Sequence, residues 1–255
     1  MALSAHELPK ALEPKYESLK KEFSEVDAEL QRQANKLQKP LYEKRDAIIA
    51  EIEKFWPNAL QNCPHVSSYF HDEDNAVFEH LTGISVTQSD KDPRESSVTF
   101  KFADNDFFGN KELTKTFTVK KNAPPLGSNS SAWQEDVQTE ATKIDWKSDE
   151  KNLSKKFPLV NEEQVLETGS FFACFFEAPQ NPVPIAIGDG IINVFWPNAF
   201  SFYTGEVEDI LGDLDEIEDF DDEDEDDDDE DDDDDDKEID LEAEERSRKK
   251  PKHEA

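Results

Sequence analysis

Cysteine and glycine are scarce in this sequence. Its 255 residues include two cysteines, Cys63 and Cys174, which stand in unrelated contexts. Two such cysteines exclude a disulfide framework and a cysteine-based metal site, and both thiols are predicted to be reduced and partly buried. Eight glycines leave little material for the loops that cradle phosphates in nucleotide-binding enzymes. No catalytic motif is present either, so we predict a protein that is not an enzyme and has no cofactor.

Metal-binding motifs are missing as well. His65, His71 and His80 are close in sequence, but no cysteine or acidic residue stands at a ligand spacing from them. Asp104 and Asp106 open a segment that resembles a calcium loop, yet positions 5 and 12 of that loop hold Phe and Lys instead of oxygen donors. We therefore expect no metal, and the two aspartates are predicted to lie in a polar turn.

Long hydrophobic runs are absent. The first residues do not have the pattern of a signal peptide, and no run of about 18 apolar residues is long enough to span a bilayer. The sequence therefore predicts a soluble, intracellular chain without membrane contact.

Basic residues are heavily outnumbered. The chain has 28 Lys and Arg against 62 Asp and Glu, and its formal net charge is -34. Residues 206–255 hold 30 acidic and 6 basic side chains, hence -24, and residues 1–205 hold 32 and 22, hence -10. Binding a phosphate backbone requires Lys and Arg, so direct nucleic-acid binding is not expected. An acidic protein attracts basic partners instead.

A long amphipathic helix is predicted at the beginning of the chain. Apolar residues recur every three or four positions from Leu12 to Leu30, and the series resumes from Leu37 to Phe55 between good helix formers. Pro40 interrupts the series. Because helical periodicity restarts directly after this proline, we predict that the helix continues with a kink.

This helix needs a partner. From Pro14 to Trp56 it would be roughly 65 Å long, too long for its apolar stripe to be buried against one small domain. A second copy of the chain, parallel or antiparallel, is the simplest partner. The residues predicted at the interface are Leu19, Phe23, Val26, Leu30, Leu37, Leu41, Ile48 and Ile52.

The patterns of residues 57–205 predict an α+β fold, with an antiparallel sheet and helices. Alternating apolar residues predict strands at Ile84 and Val86, at Val98–Phe102, at Leu113–Val119 and, more briefly, at Ile144 and Trp146. Helices are predicted at Ala59–Phe70, at Asp74–Leu81, after an N-cap at Asn161, and at Ile185–Phe195. The run Phe171–Phe176 is too apolar to face water and should be core.

The C-terminal fifth of the chain is predicted to be disordered from Glu206 onward. Residues 221–236 are an unbroken run of Asp and Glu, whose like charges repel and have nothing to bury. A basic cluster follows in residues 246–255, and Arg248, Lys249, Lys250 and Lys252 fit a nuclear localisation signal. An alternative is that this cluster folds back on the acidic run as a counterion.

Several segments resemble one known family. Residues 37–56, LQKPLYEKRDAIIAEIEKFW, are similar to the kinked dimerisation helix of the nucleosome assembly protein (NAP) family of histone chaperones. Residues 98–119 look like the family's β-hairpin. The segments TKIDWKS at 142–148, SFF at 170–172 and FWPN at 195–198 are similar to the branch that contains SET, also called template-activating factor I. The Pro-rich loop 178–184 departs from the family pattern.

The resemblance implies a headphone-shaped homodimer in the nucleus. It divides the chain into a flexible N-terminus (1–13), a long dimerisation helix (14–56), an α/β "earmuff" that binds core histones (57–205), a disordered acidic tail (206–245) and the basic cluster (246–255).

The histone-binding residues expected from this comparison are carboxylates. In the earmuff they are Glu177 and Asp189, with Asp104 and Asp106 as further candidates; in the tail they are represented by Asp221, Asp222 and Asp236. Two alternatives remain open. In the first, the tail does not bind histones and only keeps the protein soluble. In the second, the whole protein is a regulatory inhibitor that binds a phosphatase or a histone acetyltransferase.

Overall fold

The computed structural model describes residues 8–124, 133–159, 169–178 and 181–207. The predicted N-cap at Asn161, residues 208–245 of the acidic tail and the basic cluster lie outside the described residues, as do residues 179 and 180 of the Pro-rich loop. Disorder was predicted from Glu206, but Val207 packs partly buried against the core.

A single long helix, α1, spans Glu13–Ile49 and continues through Pro40, as predicted. It ends earlier than predicted. Lys54 adopts a left-handed conformation with φ of 56°, and a separate helix, α2 (Phe55–Gln61), begins directly after it. Phe55 and Trp56 are buried in the core of the body, so they do not belong to the apolar stripe of α1. The apolar spacing in the sequence continues past the end of α1 because core residues such as Phe55 stand at the positions where the next stripe residues would be expected.

Short helical segments follow α2, where two longer helices were predicted. They are α3 (Pro64–Ser67), a 3-10 turn (Asp72–Asp74) and α4 (Asn75–Phe78). Asp74 is buried beneath this region and accepts hydrogen bonds from the Ser170 hydroxyl at 2.5 Å and from the Phe171 amide at 2.6 Å. These bonds attach the turn to the helix that carries the phenylalanine run.

Four strands form one antiparallel sheet in the order β1-β2-β3-β4: β1 (Leu81–Gln88), β2 (Ser96–Phe102), β3 (Glu112–Val119) and β4 (Val137–Thr139). The first three were predicted. The prediction of a strand at Ile144 and Trp146 was wrong: the fourth strand lies at β4, and Trp146 makes only an isolated bridge to Phe108. Val98, Phe100 and Phe102 face the core, whereas Lys101 is exposed.

Helical segments make up the rest of the body, and the phenylalanine run and the segment around Gly188 pack directly against the sheet. In chain order they are α5 (Trp133–Asp136), a 3-10 turn (Asp149–Lys151), α6 (Leu153–Lys156), a π-helix (Phe172–Glu177), α7 (Val183–Asp189), a second π-helix (Gly190–Phe195) and α8 (Ala199–Thr204). The predicted helix at Ile185–Phe195 is therefore α7 together with the second π-helix, and α8 was not predicted.

Aromatic rings dominate the core. Phe171–Phe176 is buried, as predicted, and the Phe171 and Phe175 rings pack 5.7 and 6.0 Å from the ring of Phe100 on β2. Helix α7 approaches the sheet closely at Gly188, where an added Cβ would overlap the ring of Phe117. These contacts fix the position of the segments that carry the candidate carboxylates.

Candidate functional site

The most conspicuous surface feature is an apolar stripe along α1. Its side chains are 46 to 70% exposed, although they are large and hydrophobic. Such a continuous apolar surface on a helix is typical of an interface with another chain. The stripe consists of Leu12, Tyr16, Leu19, Phe23, Val26, Leu30, Leu37, Leu41 and Ile48. Ile52 was predicted to belong to it, but this residue lies beyond α1 and packs partly buried against the core.

A different face of α1 is attached to the body. Arg45 donates a hydrogen bond of 2.5 Å to the carbonyl oxygen of Trp196, and its guanidinium carbon lies 3.9 Å from the centre of the Trp196 ring. The Tyr42 ring is 4.7 Å from the same carbon. At the middle of the helix, Arg32 donates to the carbonyl oxygen of Lys91. We call the Arg45, Tyr42 and Trp196 cluster the helix joint.

The second surface lies at the β4 edge of the sheet. Residues 133–147, the edge segment, run antiparallel to β3 and then along the β2–β3 turn. The Thr139 and Thr142 hydroxyls each donate 2.7 Å hydrogen bonds to β3 carbonyls, and the amide of Lys147 bonds to the carbonyl of Phe107. Because these bonds follow the segment along its length, the backbone that carries its exposed side chains is held in place.

The structure places the candidate carboxylates along this edge. Trp146 of the edge segment donates from its indole nitrogen to Glu177 at 3.3 Å, so Glu177 lies beside the end of the segment. Asp104 and Asp106 are exposed on the β2–β3 turn, which pairs with Trp146 through Phe108. These three carboxylates are brought to one end of the edge. Lys111 forms an ion pair with Asp104, whose hydrogen bond lowers the pKa of that carboxyl.

Asp189 lies at the other end of the edge segment. It ends α7 and accepts hydrogen bonds from Gln134 at 2.8 Å and from Asn193 at 2.6 Å. Its carboxylate is therefore fixed in orientation but has no ion-pair partner among the described residues.

Further carboxylates on the same edge were missed by the sequence analysis. Glu135, Glu140 and Asp145 are exposed along the edge segment. We call these three, with Asp104, Asp106, Glu177 and Asp189, the acidic edge. Four lysines accompany these seven carboxylates in the described residues: Lys111 and Lys143 form ion pairs with Asp104 and Asp145, and Lys120 and Lys147 donate to backbone carbonyls of the edge. The excess of acidic over basic residues in 133–150 was a usable signal in the sequence.

A buried lysine lies beneath the acidic edge. Lys115 occupies an apolar-face position of β3 and is completely buried. Its ammonium group donates to the carbonyl oxygens of Glu140 at 2.7 Å and Phe176 at 3.3 Å. Burial lowers the pKa of Lys115 to about 8. This side chain connects the edge segment to the π-helix that ends at Glu177.

The described residues contain no group of three or more possible metal ligands among His, Cys, Asp and Glu. Cys63 and Cys174 are both buried and unpaired, and burial raises the pKa of each thiol to about 11. No helix in the described parts of the chain is long and apolar enough to cross a membrane. Asp221, Asp222, Asp236, Arg248, Lys249, Lys250 and Lys252 lie outside the described residues.

Comparison with known proteins gives a consistent result. Residues 50–249 match the family model described as nucleosome assembly protein (NAP). NAP1-related protein 2 of Oryza sativa subsp. indica is 26% identical over 210 residues, which cover 80% of this chain and 78% of the relative. Protein SET of Drosophila melanogaster is 31% identical over 196 residues, which cover 76% of this chain and 70% of that protein.

The fold is also found among solved structures. The crystal structure of Ccp1 superimposes with a TM-score of 0.59 over 75% of this chain and 93% of that chain, at 22% identity. At this identity the likeness establishes the fold alone, a long N-terminal helix followed by a four-stranded antiparallel sheet with helices.

Proposed function

The chain belongs to the nucleosome assembly protein family, and from this membership we propose that it is a histone chaperone. The family's members are not enzymes. The observation that carries the proposal is the family match over residues 50–249, and the arrangement of the two surfaces supports it. The proposed action is to bind core histones, to prevent their nonspecific association with DNA and to promote nucleosome assembly.

We propose that the apolar stripe pairs two copies of the chain. Seven of its residues are spaced by 7, 4, 7, 7, 4 and 7 positions, a series that reads the same in both directions from Leu30. In an antiparallel pair with a twofold axis at Leu30, Leu12 therefore faces Ile48, and Leu19 faces Leu41. The remaining pair joins Phe23 to Leu37, so each apolar residue of the series meets another.

The charge of the body also favours the antiparallel arrangement. A parallel pair brings two acidic bodies to the same end of the helices. In the antiparallel pair the helix joints of the two bodies lie toward opposite ends of helices that are about 55 Å long, and each body also reaches the middle of its own helix through Arg32 and Lys91. The two joints are therefore separated by more than the screening length of about 8 Å at physiological ionic strength, which reduces the repulsion between these parts of the bodies.

The proposed histone-binding surface is the acidic edge. Histones are basic, and carboxylates with fixed positions can form directional ion pairs with Lys and Arg side chains. Glu177 and Asp189 are already oriented by Trp146, Gln134 and Asn193, so little side-chain entropy is lost when they bind. Occupied histone charges are then not free to bind DNA nonspecifically.

The tail has a different proposed role. A polyanion attracts basic partners over a longer range, which speeds their arrival at the folded surface. Asp221, Asp222 and Asp236 are among the tail carboxylates that we propose provide this long-range attraction. The basic residues from Arg248 to Lys252 are proposed to direct the chain to the nucleus.

The direct test is binding of each purified core-histone pair to the full chain over a series of salt concentrations. Binding that weakens with salt but persists at moderate ionic strength is the expected result. A pull-down from nuclear extract distinguishes the alternative: capture of a phosphatase or an acetyltransferase without histones would contradict the chaperone proposal and favour a regulatory inhibitor.

A further inference from the structure

The helix joint and the apolar stripe lie on neighbouring faces of α1. At about 100° per residue, the seven residues of the series spaced evenly around Leu30 lie within about 20° of one line along the helix. Arg45 is about 60° to one side of this line, and Tyr42 lies farther in the same direction. Their partner Trp196 is therefore on the side of the helix that borders the stripe.

We propose that Tyr16 of a second copy of the chain packs against Arg45 and completes the helix joint. This inference rests on the antiparallel dimer proposed above. In that dimer, Tyr16 of the second copy faces position 44, which is about 1.5 Å along the axis from Arg45. Tyr16 is also displaced by about 40° to the same side of the stripe as Arg45. In an antiparallel pair related by a twofold axis, residues displaced to the same side of the stripe lie on the same side of the pair. Tyr16 of one copy and Arg45 of the other are therefore neighbours.

The chemistry of the two side chains fits this contact. The Arg45 guanidinium already packs on the rings of Trp196 and Tyr42 and lies 5.9 Å from that of Trp56, and Tyr16 offers a fourth ring that is 46% exposed in the single chain. Arginine is attracted to the faces of aromatic rings, and the attraction grows as water is removed. The dimer would thus shield the joint from water and restrict the angle between α1 and its own body.

The antiparallel register is tested first by a disulfide. Leu12→Cys and Ile48→Cys introduced together are about 54 Å apart within one chain, so a bond between them can form only between two copies. The native thiols are buried, which keeps the background low. We expect covalent dimers from the double variant and none from Leu12→Cys alone. Crosslinking of Leu12→Cys to itself would indicate a parallel pair and overturn the inference.

The contact itself is tested by a double-mutant cycle on the dimer dissociation constant. Tyr16→Ala and Arg45→Ala are each expected to raise the constant about tenfold, and the double variant is expected to be hardly weaker than either single one. Because Tyr16 and Arg45 of one chain are about 44 Å apart, any such coupling must act between copies. Val26→Ala is the matched control, since Val26 lies about 40° to the other side of the stripe, and its effect should add to that of Arg45→Ala.

The outcomes separate the two proposals. A dimer in which the effects of Tyr16→Ala and Arg45→Ala simply multiply overturns the contact and leaves the dimer intact. A chain that remains monomeric overturns the dimer and the contact together. If Arg45→Ala does not fold, Arg45→Lys keeps the charge but loses the planar stacking group, and the same cycle is measured with Tyr16→Ala.

Discussion

The ammonium group of Lys115 lies 2.7 Å from the carbonyl oxygen of Glu140, in a position without solvent exposure. A buried lysine usually has a carboxylate partner, because an uncompensated charge in the interior is costly. Among the described residues, this ammonium group bonds only to backbone carbonyls, those of Glu140 and Phe176.

This arrangement predicts that Lys115 contributes a stability that rises with pH. The pKa of Lys115 is lowered from 10.5 to about 8 in the folded chain, so between these values the unfolded chain binds more protons than the folded one. The contribution of Lys115 to the free energy of unfolding should therefore increase from about pH 8 to pH 10.5, by an amount on the order of 3 kcal/mol. The buried thiols of Cys63 and Cys174, whose pKa is raised to about 11, act in the opposite direction above about pH 9, so the Lys115 contribution is read from the difference between the native chain and a variant without this lysine. Urea titrations at several pH values measure it. Lys115→Met should lack this increase, and an identical pH dependence in both proteins would contradict the assignment.

Charges in the apolar stripe should prevent dimerisation. Leu30→Asp with Leu37→Asp places two carboxylates per chain in the proposed interface, at a cost of several kcal/mol for each unpaired ion. Light scattering should then give a monomer or an aggregate. The matched control is Gln31→Asp with Gln38→Asp, which adds the same charge at the same spacing on exposed positions beside the stripe. An unchanged dimer in the stripe variant would show that pairing occurs elsewhere.

Reversing charge on the acidic edge should weaken histone binding. Glu177→Lys with Asp189→Lys removes two oriented carboxylates and adds two cations, and affinity at moderate salt should fall by about tenfold or more even with the tail present. Asp90→Lys with Glu53→Lys makes the same charge change at exposed positions, of which Glu53 lies beside β1 at the opposite edge of the sheet. Equal losses in both variants would mean that only net charge matters.

Removal of the tail should have a different effect. Truncation after Gly205 removes residues 206–255, which carry -24 of the charge of -34. Because long-range attraction is screened by salt, the truncated chain should bind histones with a slower association rate and a shallower dependence on salt. It should also dissolve histone–DNA aggregates less well. Stopped-flow binding at two ionic strengths measures the rate, and complete loss of binding would assign the histone site to the tail alone.

Nuclear entry should depend on the basic cluster. Replacing Lys249, Lys250 and Lys252 by Ala in a fluorescent fusion is expected to move the protein to the cytoplasm, because an import signal of this kind is read through its positive charge. Retention in the nucleus would place the signal elsewhere or indicate import together with histones.

Periodicity predicted most of the fold. The apolar spacing of residues 12–48 gave both α1 and its exposed stripe, and the alternation at Val98–Phe102 gave β2 with the correct buried face. The end of α1 was not predicted. A left-handed Lys54 has no signal in the sequence, since such positions favour glycine, and the core residues Phe55 and Trp56 preserve the helical spacing.

The candidate surface was only partly predictable. Lys115 was assigned to a strand without any expectation of burial, because lysine is seldom buried and nothing local marks the carbonyls of Glu140 and Phe176 as its partners. Glu140 and Asp145 were missed for a related reason. Their place beside Glu177 depends on the path of the edge segment along β3, which is a contact between residues far apart in sequence.

Gly188 shows how the acidic edge is spaced. Helix α7 lies against the Phe117 ring at this residue, and any side chain there would have to displace the ring or the helix. Asp189 is the next residue, so its distance from the sheet is determined by the absence of a methyl group next to it. A single added methyl group at Gly188 would therefore change the spacing of the charged surface. Such a variant alters no charge, yet it can alter what the surface recognises.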